Sequence, residues 1–304
     1  MRDSLSAFLH TDAWARVIGG SLDSQSGIVW KKKQLPYGIG SYLLASRIPI
    51  AQDFTFPPTT GEWFIRFQAD SLRANERLLE QIKGSRLVET PSVQPKETVY
   101  LNLEHTADTL RAAMKPKHRY NISLAQKHGV TCEIVTTNTV DHLDRFLALL
   151  SSSADRHKIT THPPEHYKRI LQEHPTTCFL AFAQYEMHDI AAVMVLVHNN
   201  EVATYLHGGS HYDYREHMGP YLLHWEVIRH LQSKKVSLYD LWGVHTKDGK
   251  PIDNHPSAGT TRFKLGFGGT HVLYPPMYDL VRKPIPYTIY FSLRALFTRK
   301  KAFS

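Results

Sequence analysis

The chain has 304 residues, and its 36 Lys and Arg against 28 Asp and Glu leave a formal charge of +8, which favours anionic partners. With 42% hydrophobic and 11% aromatic residues, it carries apolar material for two domains at roughly 100–200 residues each, which excludes a disordered or fibrous chain. Cys132 and Cys178, the two cysteines, lie in apolar segments without paired or metal-like spacing, as buried inert thiols in a reducing compartment would.

No basic head followed by a continuous apolar run opens the chain, so no secretory signal is expected. The longest apolar run, residues 190–197, is far too short to span a bilayer, and the expected location is cytoplasmic. Residues 28–30, 41–45, 63–67 and 99–103 read as strands, rich in aromatic and β-branched residues between Gly, Pro and polar breaks. Residues 71–83 read as a helix with Gly84 just past its end, and Thr106 reads as the N-cap of a helix carrying Leu110, Ala113 and Met114. Near residue 130 the organisation restarts with helices over 141–150 and 165–173. A meander follows at 178–183, 190–198 and 202–207, with turns at 186–189 and 199–200. A glycine-bearing loop, a helix at 220–231 and strands at 236–241, 262–267 and 271–274 complete the pattern, a mixed α/β fold. The tail from 287 mixes apolar residues with Arg294, Arg299, Lys300 and Lys301. It reads as a surface helix closing the fold, with peripheral contact to an anionic membrane as the alternative.

Four groups of residues are candidates for chemistry. The loop from Gly208 to Gly219 before a helix beginning at Pro220 offers unpaired N–H groups to an anion, with Arg215 adding charge. Its Arg215-x-x-Met218-Gly219-Pro220 is a degenerate relative of the N-acetyltransferase pyrophosphate loop, although Pro220 is also an ordinary helix starter. If residues 262–267 are a strand, Arg262 and Lys264 share one face, where Lys264 could stabilise a developing oxyanion or lie solvated at an edge. His162 and His166, and His207 and His211, are four apart; Pro163 and Pro164 interrupt the first pair and no matching ligand set exists, so no metal is expected. The run Lys115-Pro116-Lys117-His118-Arg119 could touch tRNA phosphates, or could simply be a charged helix face, as Lys31-Lys32-Lys33 is taken to be.

Seven stretches in fixed order resemble the Fem peptidyltransferases (FemABX) over nearly the whole chain. They are Phe8-Leu9-His10-Thr11 with Trp14, the segment 114–122 with Lys127-His128-Gly129-Val130, Ala154-Asp155-Arg156-His157-Lys158-Ile159, and His207-Gly208-Gly209-Ser210. Gly219-Pro220-Tyr221-Leu222-Leu223-His224-Trp225-Glu226, Tyr239-Asp240-Leu241-Trp242-Gly243-Val244 and Phe263-Lys264-Leu265-Gly266-Phe267-Gly268-Gly269 complete the set. The resemblance implies two N-acetyltransferase-like domains, each a mixed sheet flanked by helices, facing a cleft. The first would span 1–130, with the tail 275–304 folded back on it, and the second 131–274. No sustained heptad stretch exists, so the chain resembles the compact members that lack a coiled-coil arm.

The implied activity is transfer of an amino acid from aminoacyl-tRNA to an amine of a nucleotide- or lipid-linked muropeptide precursor, without coenzyme A or another cofactor. By the same resemblance Lys264, beside Phe263, supports transfer. Substrate-binding positions fall at Arg16, Arg47, Trp63, Gln68, His162, His166 and His207. At His162 the family has an Arg, so the bidentate phosphate fork is replaced, and histidines at three substrate positions predict an acid-sensitive site. The competing readings are an acyl-coenzyme A N-acyltransferase, disfavoured by Pro220 where a second glycine is needed, and a non-catalytic tRNA- or membrane-binding module.

Overall fold

The computed structural model describes residues 5–49, 54–137, 139–157 and 160–302; Lys158 and Ile159 of the 154–159 motif lie outside them. The chain begins with α1 (Asp12–Ile18), capped by the Thr11 hydroxyl on the Trp14 N–H and ended by Gly19 at φ +65°. Strands β1 (Ser21–Asp23), β2 (Ile28–Gln34), β3 (Ser41–Ile48) and β4 (Phe64–Ala69) precede α2 (Leu72–Gln81), capped by Ser71, and β5 (Leu87–Thr90). Next come β6 (Glu97–Asn102), α3 (Ala107–Ala113), capped by Thr106, α4 (Pro116–Lys127), β7 (Thr131–Val135), α5 (Val140–His157) and α6 (Pro164–Glu173). β8 (Cys178–Tyr185), β9 (His188–His198), β10 (Val202–Ser210), α7 (Gly219–Ser233) and β11 (Leu238–Val244) follow. The short pair β12 (Thr246–Lys247) and β13 (Lys250–Pro251), α8 (Ala258–Leu265), β14 (Thr270–Leu273), β15 (Met277–Val281) and α9 (Pro284–Ala302) end it.

Two compact units result, one of residues 6–94 with the chain from Tyr274 onward, the other of residues 95–273. The first holds a six-stranded sheet in the order β1-β2-β3-β4-β15-β5, with β3 and β4 parallel and the other pairs antiparallel. Its core gathers Ile28, Ile65, Phe67, Leu78 and Leu280. Across the sheet Arg66 forms a two-pronged pair with buried Asp279, at 2.7 and 2.8 Å, and the Tyr287 hydroxyl donates to the same carboxylate.

The second unit holds seven strands in the order β14-β6-β11-β10-β9-β8-β7, in which the β10–β11 pair is parallel and the others antiparallel. Hairpin β9–β10 turns through Asn199 and Asn200, both at positive φ, as a two-residue turn demands. The domain boundary expected at residue 130 moves to Gln94/Pro95, because β6 pairs with β11 and β14 and so carries α3 and α4 into the second unit. Residues 262–267, expected as a strand, belong to α8 and its C-terminal turn. The burial of Ala258, Thr261 and Lys264 at spacings of three shows the period that won, whereas the alternation of Phe263, Leu265 and Phe267 is too short to separate the two.

Candidate active site

β10 and β11 pair only at Val202–Thr204 and Leu238–Asp240, and beyond these positions they part. β10 stays with β9 through Ser210, with an irregularity between Tyr205 and His207, while β11 stays with β6 through Val244, with another between Asp240 and Gly243. Two glycines hold β10 on its course. A Cβ on Gly208 would strike the Tyr205 hydroxyl and the Ala192 carbonyl of β9, and one on Gly209 would strike the Leu149 carbonyl, so Gly208 makes room for the Tyr205 ring and Gly209 lets α5 lie against this strand. Ser153 of α5 then takes the Ser210 N–H at 2.8 Å.

Lys264 enters this opening from α8. Its side chain is buried, its Nζ donates to the Gly243 carbonyl at 3.0 Å, and the ammonium lies 5.1 Å from the centre of the Tyr205 ring. One cation thus touches both parted strands. Burial pulls it down to about 8, against a partial upward pull from Asp240. Asp240, fully buried at the last paired position of β11, accepts the Thr98 hydroxyl and, at 2.8 Å, the Trp242 N–H. Trp242 itself sits at φ +60°, strained for a bulky residue and tolerated inside this bulge.

Aromatic and imidazole rings line the surroundings. His224 of α7 shares a 3.2 Å hydrogen bond with the Tyr239 hydroxyl and packs edge-on to Tyr205 and Phe263. Burial first, then the charge on Lys264, push it down to about 3. His118 of α4 donates from Nε2 to the Phe263 carbonyl at 2.8 Å, which leaves its buried Nδ1 without a partner. A Cβ on Gly266 would fall 1.8 Å from that imidazole, so the FKLG stretch is shaped around His118. Phe263, half-buried, meets Tyr221 and Phe267 edge-on.

His162, His166 and His207 are brought together, with ring centres 4.1 Å apart for the first pair and 5.9 Å from each to His207. The His162 N–H donates to the Tyr167 hydroxyl, which helps to seat the cluster. His207 is pushed down to about 3 by burial, then by His166, His162 and Lys264, so its ring stays neutral from pH 5.5 to 8 and gives none of the acid sensitivity expected of it. Among the described residues no group of His, Cys, Asp and Glu is disposed to hold a metal ion. Arg215 is exposed and lies over the Tyr212 ring at 4.2 Å, ahead of α7, whose first turn carries Pro220. Tyr205, His224, Asp240 and Gly243 are not among the expected site residues, and His118 is expected only as part of the basic run; of these, the buried charge of Asp240 carries the clearest sequence signal, inside an otherwise apolar strand.

The remaining expected positions lie in the first unit. Arg47 is buried at φ +60° with its guanidinium stacked on the Tyr274 ring, and the His10 Nε2–H donates to its carbonyl. Gln68, also buried, donates to the Pro275 carbonyl at 2.9 Å, so both residues grip the returning segment at 274–275. Trp63 roofs Gly40, where a Cβ would strike the indole, and meets Tyr290 edge-on. Arg16 is exposed and pairs with Asp12 one turn earlier.

Comparison with known proteins gives a consistent picture. The FemAB family matches residues 81–191 and 184–294. The chain is 32% identical to the aminoacyltransferase FemB of Staphylococcus epidermidis over 82 residues, 27% of this chain and 19% of that one. It is 23% identical over 158 residues, 51% of this chain and 46% of the other, to the UDP-N-acetylmuramoylpentapeptide-lysine N(6)-alanyltransferase of Weissella viridescens. The chain therefore spans less than half the length of these curated relatives. In fold it is similar to the crystal structure of FemX, with a TM-score of 0.73 at 12% identity over 95% of this chain and 98% of that one. The C-terminal domain of a putative lysylphosphatidylglycerol synthetase from Agrobacterium fabrum gives 0.59 at 15% identity over 91% and 90%. With the family match running from residue 81 to residue 294, through the parted strands and Lys264, the chain belongs to the FemAB family.

Proposed function

We propose that this chain transfers an amino acid from aminoacyl-tRNA to an amine of a peptidoglycan precursor, forming part of an interpeptide bridge. The observation that carries the reading is the buried Lys264 ammonium held between the Gly243 carbonyl and the Tyr205 ring where β10 and β11 part. An ester is already activated, so aligning the amine with its carbonyl supplies most of the acceleration. The amine nitrogen bonds to the carbonyl carbon, negative charge develops on the carbonyl oxygen, and Lys264 stabilises it in a water-poor setting. The bond to the ribose oxygen then breaks, and the proton lost by the amine passes to that oxygen, by way of a phosphate of the tRNA or the precursor. With a value of about 8, Lys264 is mostly ammonium at pH 7.

Pro220 supports tRNA rather than coenzyme A as the acyl carrier. It has no N–H to give at the first turn of α7, where a pyrophosphate would need one. The histidine cluster at 162, 166 and 207 is the proposed contact for the precursor, and such substrates place the protein at the cytoplasmic side of the membrane. The test is transfer of label from charged tRNAs to nucleotide-linked and lipid-linked muropeptides, with Lys264→Met in parallel. Label on one acceptor, lost in the variant, is expected. A folded wild type that labels neither overturns the reading.

A further inference from the structure

Among the described side chains of α9, apolar residues stand on an inner and an outer face. Tyr287 and Phe291 turn inward against Phe64, and Tyr287 belongs to a cluster with Leu35 and Val281. Ile285, Ile289 and Leu293, spaced by four, face solvent at 75%, 55% and 49% exposure. Isolated exposed aliphatics are ordinary, but a stripe along one helix face is not. Along the chain the charge of this segment has a single sign. From Leu280 to the last residue the sequence contains Arg282, Lys283, Arg294, Arg299, Lys300 and Lys301 and no Asp or Glu.

A second element of the same unit adds to this surface. The loop after Leu35 holds Tyr37 at φ +62° with its ring 99% exposed, followed by Gly38 and by Ile39 at 50%. Left-handed backbone strains an aromatic residue, and here no folded contact of the ring offsets it. The loop neighbours α9 at both ends: Leu35 shares its cluster with Tyr287, and Gly40 lies under Trp63, which meets Tyr290. A ring with an apolar body and a polar tip suits the headgroup level of a bilayer, and a cationic helix with an exposed aliphatic stripe suits an anionic one. No described helix is long and apolar enough to cross a membrane, so the contact is peripheral.

We propose that the outer face of α9, with Tyr37 and Ile39, docks on an anionic lipid surface. This stands independently of the transferase reading, because its readout is binding rather than turnover. The full chain is sedimented with vesicles of phosphatidylglycerol and phosphatidylcholine and with vesicles of phosphatidylcholine alone, across a salt series. The wild type is expected to partition to the anionic vesicles at least tenfold more strongly, with affinity falling as salt rises. Ile289→Ser with Leu293→Ser, and separately Tyr37→Ser, should each weaken partitioning several-fold while leaving the thermal unfolding midpoint unchanged. Arg294→Glu, which leaves the stripe intact, should act in the same direction. Equal partitioning to both vesicle types, or variants that bind as the wild type does, overturns the proposal. So does sedimentation velocity showing a dimer that the Ile289→Ser, Leu293→Ser variant dissociates, which would make a second copy the occupant. Tuning of tRNA binding by these residues with vesicle binding unaltered overturns it as well.

Discussion

Burial takes Lys264 from 10.5 to about 8, so between these values the unfolded chain binds a proton that the folded chain has released. Raising the pH from 8 to 10.5 therefore stabilises the fold through this group, while the same rise removes the ammonium that transfer needs. Transfer is expected to decline along a limb centred near pH 8, with no matching loss of urea stability; a flat rate from pH 7 to 9.5 contradicts the assigned role. Lys264→Met removes a buried charge whose cost at neutral pH is at most about 3 kcal/mol, and gives up one hydrogen bond worth about 1 kcal/mol. The variant should thus be more stable by roughly 1–2 kcal/mol in urea melts, yet slower in transfer by about 10²–10³-fold. Asp240 supplies the opposing pull on the ammonium. Asp240→Asn keeps an oxygen for Thr98 and for the Trp242 N–H but loses the charge, so the alkaline limb should move to lower pH. A limb that stays in place would show that Asp240 acts only on backbone shape.

α8 shows where the sequence was legible and where it was not. The glycines, the Phe-Lys pair and their order were readable as a site, but the element carrying them was not, because Phe263, Leu265 and Phe267 fit a strand as well as they fit the end of a helix. Only the residues before them, Ala258 and Thr261, settle the period. Helix caps were plainer in one case: Thr106 reads as a cap and accepts from the Thr109 N–H, whereas Ser71, read as the first residue of its helix, is in fact its cap. His118 was read as one of a basic run, yet α4 turns it inward, since an imidazole is as fit for packing as for charge. The same helix region makes two glycine substitutions of opposite sign. Gly259 has open space where a Cβ would go, so Gly259→Ala should stabilise α8 by roughly 0.5–1 kcal/mol. Gly266 has an ordinary helical backbone, and a Cβ there would collide with the His118 ring; Gly266→Ala should cost roughly 1–3 kcal/mol. Urea denaturation of the two variants tests both, and Gly266→Ala with His118→Ala should recover part of the loss if the imidazole is the obstacle.

Across the molecule, two sheets were legible from alternating strands and helices, but the point where the chain leaves one for the other was not. The restart of the strand and helix pattern near residue 130 is a local signal, whereas the boundary at Gln94/Pro95 is set by long-range pairing of β6 with β11 and β14, for which a single sequence holds no register signal. Histidine is distributed across the fold in a way that composition alone does not reveal. Burial lowers His10, His118, His230 and His245 from 6.5 and takes His207 and His224 to about 3. His207 and His224 stay neutral in the fold through this range and take up a proton near 6.5 when the chain unfolds, and the four lowered histidines act in the same direction, so stability is fully present above pH 6.5 and declines as the pH falls below it. Carboxylates held low by their partners, such as Glu62 beside Lys32 and Asp189 beside Arg145, add their own loss only from about 4.5 downward. The window from pH 6.5 to 4.5 therefore belongs to the histidines. Fully buried His224 alone should account for up to ~1.4 kcal/mol per pH unit there. Urea stability measured at pH 7.5, 6.0 and 5.0 is expected to fall steadily, and His224→Gln, neutral at every pH, should lessen the slope even if it lowers stability at pH 7.5. Equal slopes for variant and wild type would show that His224 is protonated alike in the folded and unfolded chains, and that water reaches it in the fold.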